Sequence, residues 1–174
     1  MKYTACLFDF DYTLADSSVG IVMCFRIILE RHHFTSVSDD AIRHTIGKTL
    51  EESFSILTGE KDAATLSAWR HEYTLEADKY MNAHTQLYPG CLQTLEQLKA
   101  KGIRIGIVST KYRRRITDFF KDKITPDFID LIIGGEDVSQ AKPNPEGILT
   151  AIKQLGVNAS ELLYVGDSVV DAGA

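Results

Sequence analysis

Asp9 and Asp11 stand two residues apart in the stretch YTACLFDFDYTL, residues 3–14, with Thr13 two positions further on. Tyr3, Ala5, Cys6, Leu7 and Phe8 make the approach apolar. A short apolar run that turns abruptly acidic is the pattern of a strand buried on both faces where it emerges at the edge of a parallel sheet. Ligands of open α/β sheets bind at that carboxyl edge. The two carboxylates reach one place only if the chain leaves strand geometry after Asp9. Neighbouring buried negative charges are costly unless something positive joins them, and a divalent metal is the usual partner. A turn with solvated acids is the plainer alternative, and the apolar approach argues against it.

The same arrangement recurs along the chain. Ile103–Val108 (IRIGIV) reads as a buried strand that runs into Ser109, Thr110 and Lys111. A strand over Phe128–Ile133 ends in Gly134 and Gly135, with Lys142 in the loop beyond. Leu162–Val165 empties into Gly166, Asp167 and Ser168, with Asp171 close behind. Helical stretches separate these strands: Leu92, Leu95 and Leu98 share a face ended by Gly102, and a helix is expected over 112–121. Asn144, Pro145 and Glu146 supply a cap, a first-turn proline and a first-turn acid for the helix bearing Ile148, Ile152 and Leu155. Four strands with helical crossovers predict an α/β fold, a doubly wound parallel sheet with right-handed connections. Parallel strands would bring all of these chemical groups to one rim.

Residues 16–87 have a different texture. Val19, Val22, Met23 and Ile27 recur at helical spacing behind Ser17 and Ser18, and Asp39 or Asp40 starts a second helix that Gly47 would stop. Thr49 and Glu52 make a capping box for a third, closed by Gly59, and a long fourth segment runs from Asp62 to about Asn82. No strand is expected in this block. The predicted organisation is therefore an α/β core of 1–15 and 88–174 carrying an inserted α-helical cap, 16–87. The chain stops at Ala174, where a further helix should begin, so the C-terminal edge strand of such a sheet is expected to be missing.

Composition bounds the partners. The formal net charge is −5 and the pI about 5.5, so no basic field draws the chain to nucleic acid or an anionic membrane. Cys6, Cys24 and Cys91 are odd in number and far apart, which suggests neither a disulfide framework nor a zinc knuckle. No apolar stretch reaches the ~18–20 residues a bilayer crossing needs, and the N-terminus enters a strand without a signal-peptide pattern, so a cytoplasmic protein is expected. The five histidines show no metal spacing, and Arg113, Arg114 and Arg115 read as a solvated helix face.

In these motifs the sequence resembles the haloacid dehalogenase superfamily, and within it the phosphoglycolate phosphatase-like group. FDFDYTLADS is similar to the first family motif, IVSTK to the second, the lysine of KPNPEG to the third and VGDSVVD to the fourth, each at the end of a predicted strand. The resemblance implies a phosphatase of a small phosphorylated metabolite, a monomer or homodimer. Asp9 would be the nucleophile that forms an aspartyl phosphate, and Asp11 the acid and base. Mg²⁺ would be held by the carboxylates of Asp9 and Asp167 and the backbone carbonyl of Asp11, with Asp171 as an outer-shell acid. Ser109 and Lys142, assisted by the Thr110 amide, would bind the phosphoryl oxygens, and Gly47 and Lys48 lie where related caps reach the substrate. A phosphomutase using the same intermediate, or a catalytically impaired truncated domain, are the alternatives. Tyr12 departs from the pattern, standing where the family most often has glycine.

Overall fold

A computed structural model describes residues 2–174. In chain order the elements are β1 (Ala5–Phe8), β2 (Ala15–Asp16), α1 (Ser18–Arg31), α2 (Asp39–Arg43), α3 (Leu50–Thr58), α4 (Ala63–Tyr80), β3 (Gln86–Leu87), α5 (Cys91–Ala100), β4 (Arg104–Val108), α6 (Arg113–Phe120), β5 (Leu131–Ile133), α7 (Glu146–Leu155), β6 (Leu162–Val165) and α8 (Val169–Ala172). Contacts divide them into two compact units: residues up to Asp16 with Leu87–Ala174, and Ser17–Gln86.

In the first unit four strands form one parallel sheet in the order β5-β4-β1-β6. Successive residues of each strand point to opposite faces, and both faces are covered. Cys6 and Phe8 of β1, with Ile105 and Ile107 of β4, pack against Leu95 of α5 and Ile116, Phe119 and Phe120 of α6. Ala5, Leu7, Val108 and Ile133 pack on the other side against Ala151 and Leu155 of α7. Double coverage is why these strands read as unbroken apolar runs rather than alternating ones. Each large side chain so enclosed contributes about 1.5–3 kcal/mol. Because β1 lies between β4 and β6, whatever follows Phe8 emerges in the middle of the carboxyl edge.

Two strand expectations need correction. The strand predicted over 128–133 is regular only at Leu131–Ile133. Phe128 turns instead, its amide donating to Thr125 O at 3.0 Å, and the Asp130 carboxylate accepts from the Ile105 amide at 2.6 Å, a donor that a strand carbonyl would otherwise take. The block expected to hold no strand is flanked by β2 and β3, which pair with each other. At two residues each they are too short for a period to show.

The second unit is helical. Ser38 caps α2 through Ala41 N at 3.1 Å, Thr49 caps α3 through Glu52 N at 3.2 Å, and Asp62 caps α4 through Thr65 N at 2.8 Å. Gly59 ends α3 at φ 79°, in the left-handed region that favours glycine. Ser17 precedes α1 without capping it, and its hydroxyl accepts from Thr85 Oγ1 at 3.1 Å. Helix α2 stops at Arg43, short of Gly47, as the chain continues in turns. The core of this unit is aromatic: Phe25 lies 4.7 Å from Phe54 and 4.8 Å from Tyr73 between ring centroids, and Trp69 meets Phe54 edge-on at 5.7 Å. No helix among the described residues is long and apolar enough to cross a membrane.

Candidate active site

The site begins where β1 ends. The Asp9 amide still donates to Val165 O at 2.9 Å, in register with β6, and then the chain leaves the sheet. The amides of Thr13, Leu14 and Ala15 all donate to Phe10 O, at 3.3, 2.9 and 3.0 Å. Tyr12 sits in this turn at φ 60°. That conformation favours glycine and costs a side-chain-bearing residue on the order of 1 kcal/mol, so Tyr12 carries a strain that glycine would not.

Asp9 is 2% exposed. One carboxylate oxygen accepts from the Phe10 amide at 2.7 Å, and the other faces Lys142 Nζ at 3.0 Å. Burial pushes this carboxyl above its ordinary range; Lys142 and a hydrogen bond from Ser109 oppose the rise, while Asp171 and Asp11 add to it. Ser109 is itself buried, just past β4, and its hydroxyl accepts from the Lys111 amide at 3.2 Å. Thr110 lines a small cavity with Ser109, Lys142 and Asn144.

The loop after β5 brings Lys142 to the same edge. Its side chain is 5% exposed, and Nζ also lies 2.5 Å from Asp171 Oδ1. Asp171, on α8, accepts from Ser168 N at 3.0 Å and Ser168 Oγ at 2.6 Å on its other oxygen. Burial raises the Asp171 carboxyl, but Lys142, Ser168 and Tyr164 outweigh it and hold the group below its usual value. Gly166 makes this packing possible, since a Cβ there would lie 2.4 Å from Asp171 Cγ. Asp167 is exposed and accepts from Thr13 Oγ1 at 3.2 Å; partial burial raises its carboxyl and the Thr13 bond lowers it. Asp9, Asp167 and Asp171 each offer an oxygen within 4.8 Å of the others. Hard carboxylate oxygens so close could hold a divalent cation of the magnesium type.

Asp9, Ser109, Lys142, Asp167 and Asp171 are thus gathered from the segments that follow four strands spread over the chain. Asp11 faces another way, its two oxygens 2.9 and 3.1 Å from Lys111 Nζ. Gly47 and Lys48 belong to the helical unit, where Gly47 has φ 95° and Lys48 pairs with Glu52 at 3.0 Å. Sequence reasoning missed two members. Lys111 lies inside IVSTK, where the sequence pattern assigns it no role; its side chain is 5% exposed, and a buried ammonium demands a counter-charge. Tyr164 lies in a strand whose pattern shows only apolar character, yet a phenol hydroxyl at a half-buried position needs a partner. It finds Lys142 at 2.9 Å and Asp171 at 2.8 Å.

A buried acid and a lysine set among hydroxyls, at the carboxyl edge of a doubly wound sheet, belong to α/β enzymes. Residues 6–174 match the haloacid dehalogenase-like hydrolase family, and the chain belongs to it. It is accordingly an enzyme of the hydrolase class. It is similar to the pyrophosphatase PpaX of Bacillus velezensis, with 31% identity over 99% of this chain and 78% of that protein. Among solved structures, a protein from Bacteroides fragilis assigned to the haloacid dehalogenase-like hydrolases superposes with a TM-score of 0.97 at 62% identity, covering 99% of this chain and 82% of that one. A protein from Lactobacillus plantarum proposed to be a phosphoglycolate phosphatase superposes with a TM-score of 0.87 at 26% identity, covering 99% and 81%.

Proposed function

We propose that the chain is a magnesium-dependent phosphatase of small phosphorylated metabolites, working through a phosphorylated Asp9. The observation that carries this reading is the Asp9 carboxylate, buried and 3.0 Å from Lys142 Nζ, with the Asp167 and Asp171 carboxylates within 4.8 Å. An oxygen of Asp9 attacks phosphorus as the bond to the leaving oxygen breaks, and Asp11 in its protonated form gives that oxygen its proton. Water then attacks the aspartyl phosphate, Asp11 takes the proton from it, and the bond between phosphorus and Asp9 breaks to free both carboxylate and phosphate. Lys142 and Ser109 hold the phosphoryl oxygens, with the Thr110 amide beside them. Lys142 also offsets the repulsion between carboxylate and dianion.

Magnesium bound by Asp9, Asp167 and the carbonyl of Asp11 would supply the remaining charge neutralisation at the phosphoryl group. Asp171 has both of its oxygens engaged by Lys142, Tyr164 and Ser168, which suits an acid that orients rather than ligates. Asp11 reaches the leaving group only by parting from Lys111. The helical unit would act as a cap that selects the leaving group, with Gly47 and Lys48 contributing. The names borne by its relatives make pyrophosphate and phosphoglycolate the first substrates to try.

Phosphate release from nitrophenyl phosphate, pyrophosphate and phosphoglycolate, with and without magnesium, tests the proposal. Metal-dependent release that disappears in Asp9→Asn is expected. Isomerised sugar phosphate without free phosphate would point to a mutase, and silence with every substrate would sink the reading.

A further inference from the structure

Lys142 has more partners than its proposed task leaves room for. An ammonium group carries three N–H bonds. Those of Lys142 point at Asp9 Oδ2 at 3.0 Å, Asp171 Oδ1 at 2.5 Å and the Tyr164 hydroxyl at 2.9 Å, with the Val108 carbonyl a longer contact at 3.5 Å. Two of these partners are acids with other work: one is the proposed nucleophile and the other belongs to the carboxylate cluster. The third is neutral and fixed. Tyr164 is a residue of β6 in register with Leu7 of β1, and it packs against the cluster of Ala5, Leu7 and Val108. Lys142 comes from a loop and carries a flexible four-carbon stem that is entropically costly to hold in one place.

We infer that Tyr164 is a positioning residue, whose hydroxyl fixes the Lys142 ammonium over Asp9 while the acids exchange partners. The inference rests on the proposed phosphatase reading. The hydroxyl accepts from Lys142 and has two acceptors for its own proton, Asp171 Oδ1 at 2.8 Å and Val108 O at 3.2 Å. It therefore keeps hold of Lys142 whichever of them it donates to. When a phosphoryl oxygen takes one N–H of Lys142, the bond released is to an acid, and the tie to the sheet stays. The aromatic ring adds a second hold, its centroid lying 5.7 Å from Nζ.

Tyr164→Phe keeps the ring and removes only the hydroxyl. The expected result is a kcat lower by on the order of ten- to a hundredfold, with little change in melting temperature. Affinity for inorganic phosphate, measured by calorimetry in magnesium chloride, is expected to fall as well. In Lys142→Arg the longer planar head cannot take the same three-way position, so adding Tyr164→Phe there costs no further phosphate affinity. An equal loss in both backgrounds would mark a merely structural role and overturn the inference. So would wild-type kcat in Tyr164→Phe of an enzyme that turns over phosphate esters, and that outcome leaves the phosphatase reading standing. A wild-type protein that releases no phosphate from any ester would overturn the reading and this inference with it.

Discussion

The two compact units place their charges in opposite ways. At the carboxyl edge of the sheet, Asp9, Lys142 and Asp171 have side chains 3–5% exposed and pair at 2.5–3.0 Å. Burial there drives the Asp9 carboxyl upward, so its charged form is held against its own preference. In the helical unit the interior is left to Phe25, Phe54, Trp69 and Tyr73, and the ion pairs border it with their cations in solvent: Arg31, 45% exposed, bridges the half-buried Glu72 and the nearly buried Glu76 at 2.5 and 3.0 Å. A buried network of like and unlike charges costs stability and provides chemistry, whereas pairs with one partner in solvent, set around an apolar centre, add a little stability and provide none. The contrast predicts where substitutions separate activity from stability.

The sharpest way to break that contrast is Asp9→Asn. The proposed mechanism predicts a loss of activity on the order of 10⁴-fold or more, while the melting temperature holds or rises. The sign follows from linkage. A carboxyl whose folded pKa lies above its unfolded value makes folding less favourable once ionised, and the penalty disappears as pH falls below the unfolded value. Removing the charge removes the penalty, so a clear drop in melting temperature would contradict the account of the site. Phe54→Ala makes the complementary test. Phe54 is fully enclosed among Phe25, Trp69 and Tyr73, and its truncation is expected to cost about 3–5 kcal/mol. Trp69 is the single tryptophan of the chain, so its fluorescence in a denaturant titration reports this unit directly.

The contrast also explains what could be read from the sequence. The strand ends were legible because double burial leaves uninterrupted apolar runs, and polar residues stand out against them: Asp9, Ser109, Asp167. Lys142 was legible through its loop context. What stayed hidden were groups whose role comes from pairing across the sheet. Tyr164 looks like any strand aromatic until β6 is laid beside β1, and the partner of Lys111 is one hundred residues away. The capped starts of α2, α3 and α4 could be read locally, because Ser38, Thr49 and Asp62 bond within three residues. The pairing of β2 with β3 could not, since neither strand is long enough to show a period.

Tyr12→Gly sharpens the comparison on a smaller scale. The φ of 60° at Tyr12 is a local strain within the turn that follows β1, and relieving it is expected to stabilise the α/β unit by about 1 kcal/mol. Thermal unfolding measures this. An unchanged or lower midpoint would mean that the contacts of the tyrosine ring outweigh the strain.

The smallest effect expected is in the ion pairs of the helical unit, and it has a pH signature. Glu72 is pushed up by burial, but hydrogen bonds from Arg31 and His32 more than reverse this, and Glu76 is held down by Lys79 and Arg31. Both carboxyls therefore titrate below the ordinary glutamate value of about 4.3. Their contribution is fully present above that value and is lost as pH falls through the depressed one. Arg31→Gln should accordingly unfold slightly earlier than wild type at pH 6, read by Trp69 fluorescence. The gap should close as the pH is taken below 4, and should also narrow in high salt at pH 6. A gap that persists in acid would show that Arg31 stabilises α1 and α4 through its aliphatic stem, and the helical unit would then owe less to its surface charges than the geometry of Arg31, Glu72 and Glu76 indicates.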